Sequence, residues 1–119
     1  MRNFRTLDIW NNGIKLVVEI YRIAKLLLKE ERYGLKSQIC RASISIPSNI
    51  AEGCSRNSDT EFKRFLEIAI GSAFELETQL QIIKELNLIP ESEITAIEES
   101  LNQEQKMING LISKIKSSN

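Results

Sequence analysis

The sequence predicts an all-α fold, an antiparallel up-down-up-down four-helix bundle with a proline-kinked second helix. Three observations predict it. Apolar residues recur at steps of three and four along four successive segments, the spacing of one helix face. Only five glycines and two prolines occur in 119 residues, too few for the turns of an all-β fold. The segments are joined by short polar connections, with no linker, low-complexity tract or repeat of solenoid period between them. With 42% hydrophobic and 27% charged residues, the chain reads as one globular domain, residues 1–119.

The first helix is expected at about 7–29, capped by Thr6. Ile9, Trp10, Ile14, Val17, Ile20, Tyr21, Ala24, Leu27 and Leu28 read as one apolar stripe. Gly13 within it costs about 1 kcal/mol relative to alanine. The polar segment ending at Gly34 is a turn.

The second helix is expected at about 33–55. Leu35, Ile39, Ala42, Ile46 and Ile50 keep helical spacing, yet Pro47 lies among them. Proline has no N–H and clashes with the carbonyl four residues back, here Ser43. One kinked helix is preferred to two short ones because the stripe stays in phase, with Ser43, Ser45 and Ser48 available to satisfy freed backbone groups. Gly53 suits a C-terminal cap.

The third helix, about 58–87, opens with a capping box, Ser58-Asp59-Thr60-Glu61. Phe62, Leu66, Ala69, Ala73, Leu76, Leu80 and Ile83 follow as an unbroken heptad seam. Asn87 ends it and Pro90 bars its extension. The fourth helix, about 91–116, carries Ile94, Ile97, Leu101, Ile108, Leu111 and Ile115, with Glu104 the one polar interruption.

Chemistry is sparse. No histidine is present, which removes the commonest general base and metal ligand. The Glu-x-x-His pattern of two-metal bundles is therefore absent, as are the glycine-rich phosphate loops. Cys40 and Cys54, fourteen residues apart on one helix, would lie ~21 Å apart at ~1.5 Å per residue, too far for a disulfide. Ser45 and Ser48 have no base to activate them. These features point to a protein that is not an enzyme and takes neither cofactor, metal nor small-molecule substrate. The N-terminus lacks a signal-peptide core and no apolar run approaches the ~20 residues of a membrane span, so a cytoplasmic protein without a membrane partner is expected.

Sixteen basic and sixteen acidic residues cancel. Residues 1–57 hold ten basic and five acidic residues, net +5; residues 58–119 hold six and eleven, net −5. The halves can cancel within one bundle, or a basic face of one subunit can meet an acidic face of the next in a ring. Ile70 and Phe74 fall about 100° and 140° from the centre of the third helix's seam, outside the core and one turn apart, and are the candidate oligomer contact. Arg2, Arg5, Lys15, Arg22, Lys25 and Lys29 form the candidate weak RNA patch.

One stretch is more specific than generic bundle sequence. It comprises Tyr33-Gly34-Leu35, Gln38, Arg41-Ala42 and the run from Ser45 to Gly53, SIPSNIAEG. It continues with Arg56, Ser58, Glu61, Phe65-Leu66, Ile68-Ala69, Gly71-Ser72 and Glu75-Leu76-Glu77-Thr78-Gln79-Leu80. With Leu7 and Trp10, it resembles the four-helix-bundle family encoded in intervening sequences of bacterial 23S ribosomal RNA genes, from about Phe4 to Leu88. The resemblance implies a small bacterial protein of the kind labelled ribosomal, of unknown function and no established activity. A related branch, the accessory variability proteins of diversity-generating retroelements, forms strongly basic pentameric barrels that bind reverse transcriptase and nucleic acid. It implies a homo-oligomer, most simply a pentamer, and as a partner RNA or a nucleic-acid enzyme. Two departures remove positive charge: Cys40-Arg41 stands where the family commonly has Arg-Arg, and Ile70 where it commonly has Arg.

Arg41, Ser45, Asn49 and Glu52 make a polar line beside the second helix's apolar stripe. As structure, they would bond across to Glu75 or Gln79 on the third helix; as function, they would line a surface for RNA or a protein. Two functions follow: an oligomeric, non-enzymatic binding module engaging RNA or a nucleic-acid enzyme, or a self-assembling structural protein with no nucleic-acid role of its own.

Overall fold

A computed structural model describes the backbone of residues 2–31 and 34–118. Four α-helices follow one another: α1, Asp8–Ala24; α2, Leu35–Cys54; α3, Asp59–Glu85; α4, Glu91–Ser118. Single 3-10 turns precede α1 at Phe4–Thr6 and follow it at Lys29–Glu31. Each helix packs on its chain neighbours and α1 closes against α4, giving a four-helix bundle measuring 46 × 22 × 20 Å. No strand occurs among the described residues.

The core is the line of apolar residues that the spacing picks out. Ile39, Ala42, Ile46 and Ile50 of α2 are buried, as are all seven seam residues of α3 and Ile94, Ile97, Leu101, Ile108 and Ile115 of α4. Leu111 is half-buried against them. Each fully buried Leu, Ile or Phe contributes roughly 1.5–3 kcal/mol of transfer free energy.

The first helix departs from expectation. It ends at Ala24, five residues short of position 29, and the chain then turns. Thr6 is not its cap: Thr6 sits in the 3-10 turn, where its hydroxyl donates to the Asn3 carbonyl at 2.8 Å, and the α1 N-cap is Leu7, without a side-chain bond. Its apolar residues are not one stripe. Ile9, Leu16, Ile20, Ile23 and Ala24 face the core, whereas Ile14, Tyr21 and, beyond the helix, Leu28 are exposed.

Helix α2 is continuous across Pro47, as one helix rather than two. The side chains around the proline bond to the backbone of their own helix. Ser43 Oγ donates to the Cys40 carbonyl at 2.8 Å, and Asn49 Nδ2 donates to the Ser45 carbonyl at 2.8 Å. Gly53 is not a left-handed cap, since no described glycine has positive φ. It is a point of close contact between α2 and α3: a Cβ there would lie 2.8 Å from Phe65 Cβ. The C-cap is Ser55, whose hydroxyl donates to the Glu52 carbonyl at 2.6 Å. The predicted start of α2 at Tyr33 lies outside the described residues.

Both ends of α3 match their sequence signals. The Glu61 N–H donates to Ser58 Oγ at 3.2 Å. At the other end Asn87 takes φ 56°, with Leu88 N–H on the Ile83 carbonyl and Asn87 N–H on that of Lys84, both 3.1 Å, a Schellman closure.

Candidate functional site

Several groups of polar residues and one apolar face stand out among the described residues. The deepest lies where α1, α2 and α4 meet. Asn12 Nδ2 donates to Glu104 Oε1 at 3.0 Å and to the Ser100 carbonyl at 3.3 Å, and Ser100 Oγ donates to Asn12 Oδ1 at 3.2 Å. Glu104 is 0% exposed, and its Oε2 has no hydrogen-bond partner among the described residues. Gly13 makes room for it: a Cβ there would lie 3.2 Å from that Oε2 and 3.3 Å from Pro47 Cβ. Burial pushes the Glu104 carboxyl up to about 7, only partly opposed by the Asn12 bond.

The second site lies between α2 and α3. Ser45 Oγ and Ser72 Oγ share a hydrogen bond of 2.8 Å, and Asn49 Nδ2 also donates to Ser45 Oγ at 2.9 Å. Gln79, buried, donates to Gln38 Oε1 at 3.4 Å. The polar line is therefore divided. Ser45 does reach α3, but its partner is Ser72 rather than Glu75 or Gln79. Asn49 bonds within α2, Glu52 pairs with Arg56 at 3.4 Å, and Arg41 and Glu75 are exposed. The expected bonds to Glu75 and Gln79 do not form because Ser45 and Asn49 are short and reach only the facing hydroxyl or their own backbone.

The third site is at the α2–α3 end. The Arg2 guanidinium pairs with Asp59 and lies 4.0 Å from the Phe62 ring centroid; Arg56 lies 5.0 Å over Phe65, and Arg5 4.6 Å over Phe4. Arg22 instead bridges Glu19 and Glu93, each at 2.8 Å. The six residues of the RNA patch are thus spread along the bundle: Arg2 and Arg5 at one end, Lys15 and Arg22 along α1, Lys25 and Lys29 beyond it.

The apolar face joins α1 and α2. Trp10, Ile14, Val17, Val18, Tyr21 and Ile44 line two open pockets that share Val17 and Ile44. On α3, Phe74 is 52% exposed, and Ile70 is half-buried against the core.

No group of three or more potential metal ligands exists among the described residues, and no helix is long and apolar enough to cross a membrane. Cys40 and Cys54 are free thiols, each pushed up chiefly by burial. The Ser45 hydroxyl is engaged by Ser72 and Asn49, neither of which is a base. The Asn12–Ser100–Glu104 junction escapes sequence reasoning. The signal was there, since Glu104 interrupts the seam, but its partner lies 92 residues away.

The fold and these sites define a small four-helix-bundle protein in which some polar side chains join neighbouring helices and others bond within their own. The chain belongs to the 23S rRNA-intervening sequence protein family, whose model matches residues 5–110. It is similar to a crystal structure of a protein with unknown function from the S23 ribosomal protein family of Bacteroides thetaiotaomicron VPI-5482. That similarity has a TM-score of 0.81 and 25% identity, covering 87% of this chain and 97% of the other. No curated protein matches it.

Proposed function

We propose that the chain is a non-enzymatic binding module that works as a homo-oligomer, a ring most simply of five copies, and that the assembled ring engages RNA or an enzyme acting on nucleic acid. The observation that carries the reading is Phe74. A bundle whose core is already filled leaves this aromatic 52% exposed in the middle of α3, with Ile70 one turn before it. Aromatic residues are enriched at the centres of protein interfaces and depleted from free surface. Light scattering at tens of micromolar is expected to give a multiple of 13.6 kDa, five-fold for the ring. A monomer at that concentration removes the reading.

The second reading, a self-assembling structural protein with no nucleic-acid role, is favoured by the ion pairs. Arg2 and Arg22 of the RNA patch spend their charge on Asp59, Glu19 and Glu93 of the same chain. Pull-down from the native host with and without ribonuclease separates the two. A partner lost on ribonuclease treatment supports RNA; no partner at all supports the structural reading.

A further inference from the structure

We propose that Glu104 is a proton-keyed latch between α1 and α4: protonated, it holds α1 closed over the core, and ionised, it lets α1 lift and admit water while α2 and α3 stay together. The proposal is independent of the oligomer and RNA readings above.

Asn12 ties α1 to α4 by three hydrogen bonds, two donated to Glu104 Oε1 and the Ser100 carbonyl and one accepted from the Ser100 hydroxyl. The carboxyl at their centre is fully buried, and its Oε2 has no partner among the described residues. A neutral carboxyl fits this place, but a carboxylate does not. Asn12 serves Oε1 only, while Oε2 lies against Gly13, which has no side chain, beside Pro47, which has no N–H to offer. A buried charge without donors must be neutralised or must reach water.

The surrounding elements supply no replacement. On α1, Asp8 and Lys15 lie about a turn either side of Asn12 and are exposed. On α3, Glu77 accepts from Gln105 Nε2 at 2.8 Å. Helix α2 presents Ser43, Ile46, Pro47 and Ile50, none of them charged. Burial, opposed by the Asn12 bond alone, therefore sets the carboxyl at about 7.

The weakest side of this enclosure is α1. Asn12 and Ser100 are half-buried, so the shortest way to water runs between α1 and α4. Helix α1 is the shortest of the four at 17 residues, and Gly13 weakens it beside the carboxyl. Its other polar tie to α4, Arg22 with Glu93, is 40–49% exposed and holds little. Helices α2 and α3 are joined apart from α1 by Ser45 with Ser72 and by Gln38 with Gln79, and α3 and α4 by Lys84 with Glu98.

Hydrogen–deuterium exchange of the whole chain, read by mass spectrometry at pH 5 and pH 7.5, tests the latch, with rates corrected for the intrinsic effect of pH on amide exchange. The closed form holds its proton up to about 7 and the opened form releases it at the ordinary 4.5. Opening therefore becomes more favourable as pH rises from 4.5 to 7 and levels off above. At pH 7.5, peptides of α1 are expected to exchange at least about tenfold faster than those of the α3 seam, as a separately opening unit does. Their corrected rate is expected to rise at least about tenfold from pH 5 to pH 7.5. Glu104→Gln keeps an acceptor for Asn12 and cannot ionise, so its α1 is expected to exchange at one corrected rate at both pH values. The proposal is overturned if α1 and α3 exchange together, which means that only the whole molecule opens. It is equally overturned if the wild-type α1 rate ignores pH, or if the pH response survives in Glu104→Gln.

Discussion

Glu104 is where one side chain governs the response of the fold to pH. Its folded value near 7 exceeds the ordinary 4.5, so the folded chain holds a proton that the unfolded chain releases. Stability from this group is complete below about pH 4.5, declines as pH rises toward 7, and is lost above it. The full change is about 3 kcal/mol, at 1.36 kcal/mol per unit. Glu104→Gln keeps the acceptor for Asn12 and cannot ionise. The variant is expected to melt above the wild type at pH 8, the difference shrinking to near zero at pH 4.5; parallel melting curves across that range would show that Glu104 is not the titrating group. The interruption of the α4 seam is visible in the sequence, but its meaning is not. Whether a seam glutamate is buried depends on what faces it, and here Gly13 and Pro47 leave it room and Asn12 gives it one bond.

Two helical glycines that look alike in sequence behave oppositely at the level of elements. A Cβ at Gly53 would lie 2.8 Å from Phe65 Cβ and 3.1 Å from the Phe62 ring, both held in the α2–α3 contact. Gly53→Ala should therefore force the helices apart and cost about 1–3 kcal/mol. At Gly71 a Cβ meets nothing within 4 Å, so Gly71→Ala should gain up to about 1 kcal/mol of helix propensity. Thermal denaturation of the two variants gives shifts of opposite sign, and shifts of the same sign would refute the assignment. The ends of α3 were legible because capping is local: Ser58 and Glu61, or Asn87 and the last turn, are set by a few residues. The end of α1 was less so, because Lys25 to Leu28 continue a helical pattern while the chain turns there. Spacing also merged the two α1 seams, since residues one apart differ by only about 100° and both arcs are apolar.

For the whole molecule, the order of helices followed from periodicity and short connections, whereas the arrangement of charge required the fold. Arg5 and Lys25 lie beyond opposite ends of α1, which spans roughly 24 Å at ~1.5 Å per residue, against a screening length of about 8 Å at physiological salt. Their fields do not add on one subunit. Structured RNA is therefore expected to bind only at low ionic strength, with affinity falling steeply as salt rises. Fluorescence anisotropy across a salt series checks this; sub-micromolar binding that persists above physiological salt would overturn it.

Trp10 stands on the open α1–α2 face, half-buried, its ring 5.1 Å from that of Phe4. It is also the chain's one tryptophan. The protein thus carries an optical reporter on this open face, with no competing indole elsewhere. Covering that ring withdraws it from water and moves its emission to shorter wavelength, whereas events at the far side of α3 leave it unchanged. A dilution series followed at the emission maximum therefore reports any change in the cover of this one face without a label.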